Sequence, residues 1–235
     1  MSFSWSEMFA HMGLPALIVA AVLALMGLAS VAVFIERVLT FRRSRSVSRA
    51  FAAKIDADLT AGRFDTVLAE AEREMKHGHL PRVVRAALST YTHALKTADV
   101  SGLSPVERTQ RHMARYMEDV GVDLRRGLNV LSSVGSVAPF VGLLGTVVGI
   151  ISAFQGIAAA GSGGLGAVSA GISEALIETA FGLAVAIPAV LAFNFLSGQI
   201  LRDEMTLNNA TGELLDLIED FDERRAQQSR PRSVG

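Results

Sequence analysis

The chain has 235 residues, of which 50% are hydrophobic, and its 22 basic and 23 acidic side chains give a formal net charge of −1. This near-neutral balance provides no basic field for binding nucleic acid. The sequence contains no cysteine, which excludes disulfides, zinc–thiolate sites and a cysteine nucleophile. All the Lys and Arg lie within residues 37–126 and 202–232. Such segregation indicates a membrane protein, because a soluble fold distributes its basic residues over its surface.

The N-terminal part of the chain predicts one transmembrane helix. Residues 1–13, which we expect in the periplasm, carry Glu7 and no basic side chain, so they do not resemble a cleaved signal peptide. Residues 14–35 contain no charge, and a helix that spans the bilayer needs about 20 apolar residues. We therefore assign the first transmembrane helix to residues 14–36.

A cytoplasmic helical domain is predicted for residues 37–126. Gly62 is expected to end one helix, Asp65 to cap the next, and Pro81 to open a third. Residues 104–107 read Ser-Pro-Val-Glu, which is the pattern of a capping box with proline at the first helical position. The periodic apolar residues that follow predict a helix that continues without a break into the second span.

The next apolar region, residues 127–201, contains only two charged side chains, Glu174 and Glu178, and is too long for one span. A Gly-rich cluster divides it. The predicted segments are transmembrane helix 2 at residues 127–158, a periplasmic turn at residues 159–167 and transmembrane helix 3 at residues 168–201. Residues 202–235 are predicted to form a cytoplasmic amphipathic helix and a disordered tail that begins at Gln227.

The orientation follows from the positive-inside rule, which places the Lys- and Arg-rich flanks of a span in the cytoplasm. Arg37, Arg42 and Arg43 follow the first span, and Arg202 follows the third. We therefore expect the N-terminus in the periplasm and the C-terminus in the cytoplasm. The predicted fold class is an all-α integral membrane protein with three transmembrane helices, whose long helices extend into a cytoplasmic helical domain.

Small residues recur every three or four positions along the second predicted span, and this spacing lets helix backbones approach closely within lipid. We call this set the small-residue stripe. Its members are Gly135, Ala138, Gly142, Gly145, Gly149, Ser152 and Gly156. The spacing alone is consistent both with packing inside the chain and with packing between subunits.

Two threonines are predicted to lie at the same depth. Thr146 and Thr179 are equally far in sequence from the middle of the Gly-rich turn, so two antiparallel spans bring them to one level. Each lies roughly 20–25 Å along its helix from the turn, deep in the hydrocarbon region, at about 1.5 Å per residue. A single threonine often bonds to its own helix, but a matched pair beside acidic residues marks a candidate ion pathway.

Glu174 and Glu178 lie one helical turn apart on the third span. Charged groups within a bilayer are costly and usually functional, and residues 127–201 contain no basic side chain to pair with them. We expect these carboxyl groups to be neutral, hydrated or facing a partner. Glu174 also fits a position near the outer interface, whereas Glu178 lies deeper.

Other motifs do not indicate an enzyme or a metal site. Residues 161–166 match a dinucleotide-binding pattern, but they lie between two spans and follow no strand. The five histidines lack the spacing of metal ligands. The last two spans lack the His or Lys that an intramembrane serine protease requires. No enzymatic activity, metal or cofactor is predicted.

Residues 137–150 and 171–188 resemble the MotA/TolQ/ExbB proton channel family. They carry the patterns A-P-x-x-G-L-x-G-T-V-x-G-I and G-I-x-E-A-L-x-x-T-A-x-G-L-x-x-A-I-P. The three-span topology is similar to the TolQ/ExbB branch, because MotA proteins have four spans. The resemblance extends by topology over nearly the whole chain.

The resemblance implies a motor subunit of the bacterial inner membrane. Such subunits form a ring, typically a homopentamer, around the helices of a TolR/ExbD-type dimer with one span per chain, and a transmembrane Asp of that partner takes and releases protons. Thr146, Thr179 and Glu174 match residues that line the route. Glu178 departs from the family pattern, which usually has a small residue there, and it remains in the candidate pathway because of its depth.

The resemblance leaves open which process is powered, with outer-membrane import, envelope constriction and surface gliding as candidates. A different class of function, a membrane scaffold subunit without ion flux, is kept as an alternative. An independent transporter is disfavoured, because secondary transporters usually have more spans and an internal repeat.

The predicted topology is tested by a reporter fused after Ser162, in the Gly-rich turn. We expect a periplasmic reporter such as alkaline phosphatase to be active there, because the positive-inside rule places this turn outside. A reporter that is active only in the cytoplasm at this position would contradict the topology. A fusion after Arg202 serves as the control, with the opposite result expected.

Overall fold

A computed structural model of the chain describes residues 13–97, 102–160 and 165–229, and its regular secondary structure in those ranges is entirely α-helical. This confirms the predicted all-α class. The helices are α1 (Leu14–Thr60), α2 (Phe64–Glu74), α3 (His79–Lys96), α4 (Pro105–Leu124), α5 (Leu128–Ala160) and α6 (Leu165–Ser229).

Three of these helices, α1, α5 and α6, are long and apolar enough to cross a membrane. The predicted three transmembrane helices are therefore confirmed. Helix α1 has 47 residues and α6 has 65, whereas a span needs only about 20. Both helices therefore continue well beyond their apolar parts, as the predicted fold class requires.

The described chain divides into two compact units. The membrane unit contains residues 13–37, 127–160 and 165–197. The extramembrane unit contains residues 38–97, 102–126 and 198–229.

The prediction that one helix runs unbroken into the second span is wrong. Helix α4 ends at Leu124 and α5 begins at Leu128. Gly127 between them has a φ of +84°, a conformation that glycine adopts without steric cost. A side chain there would also meet Val33 Cγ1 at 3.3 Å and Arg37 Nε at 3.4 Å.

Two predictions about the helix starts are also corrected. Asp65 does not cap α2, because the cap is Arg63 and Asp65 lies in the first turn, where an acidic group favours the helix dipole. Helix α3 begins at His79, before Pro81. The predicted end near Gly62 is confirmed, since α1 stops at Thr60 and Gly62 has a φ of +71°.

The capping box at the start of α4 is confirmed. The Glu107 backbone N–H donates to Ser104 Oγ at 3.1 Å, and the Ser104 backbone N–H donates to Glu107 Oε2 at 3.0 Å. These two bonds satisfy backbone donors that a helix start otherwise leaves free.

The C-terminal amphipathic helix is not a separate element, because α6 continues through Arg202 to Ser229. The predicted disorder from Gln227 is wrong for residues 227–229, which are helical, and residues 230–235 lie outside the described part. Gly198 and Gly212 lie inside α6, where each glycine lowers the stability of the helix by only a modest amount.

The extramembrane unit has its own core, formed by α2, α3 and α4 with the adjoining parts of α1 and α6. Its most completely buried large side chains include Phe51, Leu88, Met113 and Ile218. Tyr91 Oη donates to Asp222 at 3.0 Å, and its burial together with this bond raises the pKa of Tyr91 to about 12. An ion pair of 2.7 Å between Arg45 and Asp203 joins α1 to α6 in this unit.

In the membrane unit, α1 packs over the α5–α6 pair. The buried cluster at their contact consists of Leu23, Val134, Ala138, Ala186 and Ala189. Large apolar side chains on the outer surfaces remain exposed in the single chain, among them Phe140 at 69% and Leu176 at 59%. Exposed apolar surface of this kind is what lipid or neighbouring subunits cover.

Helices α5 and α6 approach closely at Gly142 and Gly182. A Cβ on Gly182 would lie 2.7 Å from the carbonyl oxygen of Ala138 and 3.1 Å from Gly142 Cα. A Cβ on Gly142 would lie 2.8 Å from the carbonyl oxygen of Glu178. The small-residue stripe therefore packs within the chain from Gly135 to Gly149, which was one of its two open interpretations.

The Gly182→Ala substitution is expected to lower the stability of the folded chain by about 1–3 kcal/mol, because the added methyl group meets backbone atoms that cannot yield locally. Gly198→Ala in the same helix is the matched control, since no described atom lies within 4 Å of its Cβ position. The midpoint of thermal unfolding in detergent measures both. Equal midpoints for the two variants would contradict the close approach.

Candidate functional site

The two threonines predicted to share a depth are in contact. Thr146 on α5 and Thr179 on α6 are joined by a hydrogen bond between their hydroxyl groups. Thr146 Oγ1 also lies 3.0 Å from the carbonyl oxygen of Ala175 across the helix pair. The expectation of matched depth is confirmed by these contacts.

The threonine pair forms a cluster of two hydroxyl groups and two carbonyl oxygens. Besides the contacts above, Gly142 O lies 3.2 Å from Thr146 Oγ1 and 3.3 Å from Thr179 Oγ1. Each hydroxyl has one proton to donate and can also accept, so the cluster can be bonded in more than one proton arrangement. A chain of hydroxyl groups with alternative bonding is a chemically suitable element of a proton route.

The small-residue stripe is what lets the hydroxyl groups reach across. Gly149 on α5 packs on Ala175 of α6, with the glycine's Cβ position 3.0 Å from the alanine Cβ. Together with the approach of Gly142 to Gly182, this brings the Ala175 carbonyl within reach of Thr146. Larger side chains at these glycines would separate the backbones and break the contact.

Glu178 is enclosed in the membrane unit and is 2% exposed. Neither of its carboxyl oxygens has a hydrogen-bond partner in the described part of the chain. Oε2 occupies the space that a side chain on Gly145 would fill, and Val19 of α1 borders the same space. We call this space the Gly145 notch.

Glu174 has a different environment, since it is partly exposed. The backbone N–H of Gly13, just before α1, donates to Glu174 Oε1 at 3.2 Å. Glu174 therefore lies at the end of the membrane unit where α1 begins. This agrees with the expectation that Glu174 lies nearer an interface and Glu178 lies deeper.

The four candidate residues thus form two neighbouring groups. Thr146 and Thr179 contact each other, while Glu178 lies against Gly145, one residue earlier on each helix. One residue corresponds to about 100° of rotation around a helix axis, so Glu178 and Thr179 point in different directions. Glu174 lies one turn of α6 away from Glu178.

The contact of Glu178 with Gly145 was missed in the sequence, although a partial signal for it exists. The mirror relation about the Gly-rich turn that pairs the threonines places residue 178 opposite residue 147, so it indicates the neighbourhood of Gly145, two residues away, but not the contact itself. The part played by Val19 has no such signal, because it depends on how α1 packs over the other two helices.

No group of three or more His, Asp or Glu side chains that could hold a metal ion occurs among the described residues. The chemistry of the site in this part of the chain is therefore that of hydroxyl, carboxyl and backbone carbonyl groups.

The sequence model of the MotA/TolQ/ExbB proton channel family matches residues 66–209, which include the threonine pair, all of α5 and α6 from Leu165 to residue 209. The chain belongs to this family. The family is described as one of proton channels. The resemblance drawn from the sequence motifs is therefore confirmed.

Curated relatives assign the chain to the ExbB side of the family. The Biopolymer transport protein ExbB of Pseudomonas putida is 30% identical over 166 residues, which cover 70% of this chain and 50% of that protein. The protein of the same name from Salmonella typhimurium is 31% identical over 126 residues, covering 53% of this chain and 52% of that protein. The chain spans about half the length of these relatives.

A double-mutant cycle tests the threonine contact. Thr146→Val and Thr179→Val each remove a hydroxyl group with little change of shape, and the double variant should be less destabilised than the sum of the two. The expected coupling is about 0.6 kcal/mol, the average for hydrogen bonds between membrane helices. Thermal unfolding in detergent measures it.

The control cycle combines Thr146→Val with Ser152→Ala. Ser152 Oγ donates to Val148 O of its own helix at 3.0 Å and is exposed, so the two effects should add. Additive effects in the threonine cycle as well would contradict the direct contact between the hydroxyl groups.

Proposed function

We propose that this chain is a motor subunit of the bacterial inner membrane, driven by the proton motive force. Together with a single-span partner of the TolR/ExbD type it conducts protons and powers work at the cell envelope. The observation that carries the proposal is the hydroxyl pair of Thr146 and Thr179 between apolar helices, with Glu178 and Glu174 beside it. Membership of a proton channel family supports it.

The chain's own polar groups are only part of a proton route. The threonine hydroxyl groups relay protons by exchanging hydrogen bonds, but they do not ionise at physiological pH. A carboxyl group that alternately binds and releases protons next to them completes the route. In our proposal this group is an Asp in the transmembrane helix of the partner, which is a dimer inside a ring of this chain.

The ring is proposed to be a homopentamer embedded in membrane lipid. The large apolar side chains exposed on the membrane unit, such as Phe140, Leu183 and Ile187, offer surface for lipid and for neighbouring copies. We propose that the N-terminus and the Gly-rich turn face the periplasm and that the C-terminus is cytoplasmic, as the positive-inside rule predicts.

The energy source is sufficient for mechanical work. Each proton that moves down a potential of 100 mV releases about 2.3 kcal/mol. The partner helices and the ring can convert this free energy into rotation of one component within the other. The name of the curated relatives, Biopolymer transport protein, favours transport across the envelope as the work that is driven. Envelope integrity and gliding motility are the other candidates.

A second candidate function is a scaffold subunit without ion flux. One observation favours it, namely that Thr146 bonds to the Ala175 carbonyl and Thr179 lies near the Gly142 carbonyl. Such bonds by themselves hold two membrane helices together. The two functions differ in what happens to proton flux when the hydroxyl groups are removed.

The discriminating experiment measures proton flux into membrane vesicles that contain the chain and its single-span partner. Thr146→Val and Thr179→Val should insert and assemble normally but lose flux by at least about tenfold, which corresponds to about 1.4 kcal/mol of barrier. Thr146→Ser and Thr179→Ser keep the hydroxyl group and should retain flux. Glu174→Gln should also lower flux.

The matched control is Ser152→Ala, which removes a hydroxyl group from the same helix outside the threonine cluster. If both valine variants conduct protons as well as the unchanged chain, the ion pathway is wrong and the scaffold function is favoured. The scaffold function would also be favoured if the unchanged chain assembles with its partner but conducts no protons.

A further inference from the structure

Glu178 is the buried acidic side chain of the membrane unit whose role neither the threonine pair nor the family pattern explains. It is 2% exposed, and both carboxyl oxygens lack a hydrogen-bond partner in the described part of the chain. Its Oε2 points into the Gly145 notch between α5 and α6, with Val19 of α1 on the third side. The carboxyl group is therefore held in a defined place, and its capacity for hydrogen bonds is not used in the described part of the chain.

The surroundings of Glu178 contain no positive charge. Helix α5 has no Asp, Glu, His, Lys or Arg, and α1 has none from Leu14 to Ile35. On α6 the nearby titratable group is Glu174, one turn away, which is also acidic. No basic group therefore faces Glu178 from any of the three helices packed around it.

An ionised carboxylate at this place would be unstable for two reasons. It would lose its hydration without gaining a hydrogen-bond donor or a cation in return. It would also be repelled by a negative charge on Glu174. The neutral carboxylic acid avoids the repulsion and loses much less hydration free energy than the carboxylate, and its shape fits the notch that Gly145 leaves open.

We infer that Glu178 is a proton-binding site of this chain itself, in which the carboxyl group holds a proton in the Gly145 notch and exchanges it through Glu174. In the exchange, the O–H bond of Glu178 breaks and an O–H bond forms on the Glu174 carboxylate, so one negative charge moves in the opposite direction. Residues four apart on a helix lie about 5–6 Å apart at Cβ, which one water molecule can bridge.

Glu174 is suited to connect this site with the outside of the protein. It is partly exposed, and its carboxyl group contacts the backbone of Gly13 at the beginning of α1. The two carboxyl groups thus form a step from an accessible position to an enclosed one. That Glu178 holds a proton does not depend on the proposed function, whereas its taking part in conduction rests on it.

The occupancy of the site is tested by dicyclohexylcarbodiimide on membranes that contain the full chain, with mass spectrometry to locate the modified residue. This apolar reagent reacts with neutral carboxylic acids, whose proton moves to a carbodiimide nitrogen while the carboxyl oxygen bonds to the central carbon. We expect Glu178 to be modified at neutral pH. Absence of modification at Glu178 would overturn the inference.

Gly145→Ala tests the notch, because its methyl group takes the space of the carboxyl group. Modification of Glu178 should fall severalfold in this variant. Gly156→Ala on the same helix is the matched control, since its Cβ position has no described atom within 4 Å, and it should leave the modification unchanged. Equal modification in the two variants would contradict the notch as the proton site.

Infrared difference spectroscopy provides a measurement that does not depend on the fold of Gly145→Ala. Glu178→Gln has the shape of the neutral acid and should preserve the fold. Comparison with the unchanged chain at neutral pH should show the loss of a carboxylic acid C=O band. Loss of carboxylate bands instead would mean that Glu178 is ionised, which overturns the inference.

Proton flux in the presence of the partner separates this inference from the proposed function. If the unchanged chain conducts protons, Glu178→Gln should lower the flux severalfold while the complex still assembles. Unaltered flux in this variant would refute exchange during conduction. If the unchanged chain conducts no protons, the proposed function fails, and the carbodiimide reaction still decides whether Glu178 holds a proton.

Discussion

The close approach of the α5 and α6 backbones at Gly142 and Gly182 is the constraint on which the membrane unit depends. Within lipid no hydrophobic force draws two apolar helices together, so their association rests on close packing and on hydrogen bonds between them. A Cβ on Gly182 would lie 2.7 Å from the Ala138 carbonyl oxygen, so glycine is what permits the contact. The contact in turn brings the Thr146 hydroxyl to 3.0 Å from the Ala175 carbonyl oxygen.

This approach creates two different polar environments that are one residue apart on each helix. The hydroxyl groups of Thr146 and Thr179 satisfy each other and nearby carbonyl groups, so they cost little in an apolar surrounding. Glu178, beside Gly145, has no such partners in the described part of the chain. The first environment is suited to relaying protons and the second to holding one, because an unpaired buried carboxyl group is favoured as the neutral acid.

Much of the membrane unit could be predicted from the sequence because its causes are local or symmetric. Apolar runs with few or no charges define the spans, and equal distances from the turn bring Thr146 and Thr179 together. The break at Gly127 could not be foreseen, since it depends on a φ of +84° and on neighbours in α1. The continuity of α6 was missed because the boundary was placed where the apolar run meets Arg202. A change from apolar to charged residues marks where a helix leaves the membrane and not where the helix ends.

The function proposed for this chain is to move protons across a membrane together with a single-span partner. The most direct measurement reconstitutes the assembled complex in potassium-loaded liposomes, sets an inside-negative potential with valinomycin, and follows the internal pH with a dye. If the complex conducts protons, the interior should acidify at a rate that grows with the imposed potential and exceeds the rate in liposomes with the chain alone. Acidification no faster than in protein-free liposomes, with the complex assembled, would contradict the proposed function.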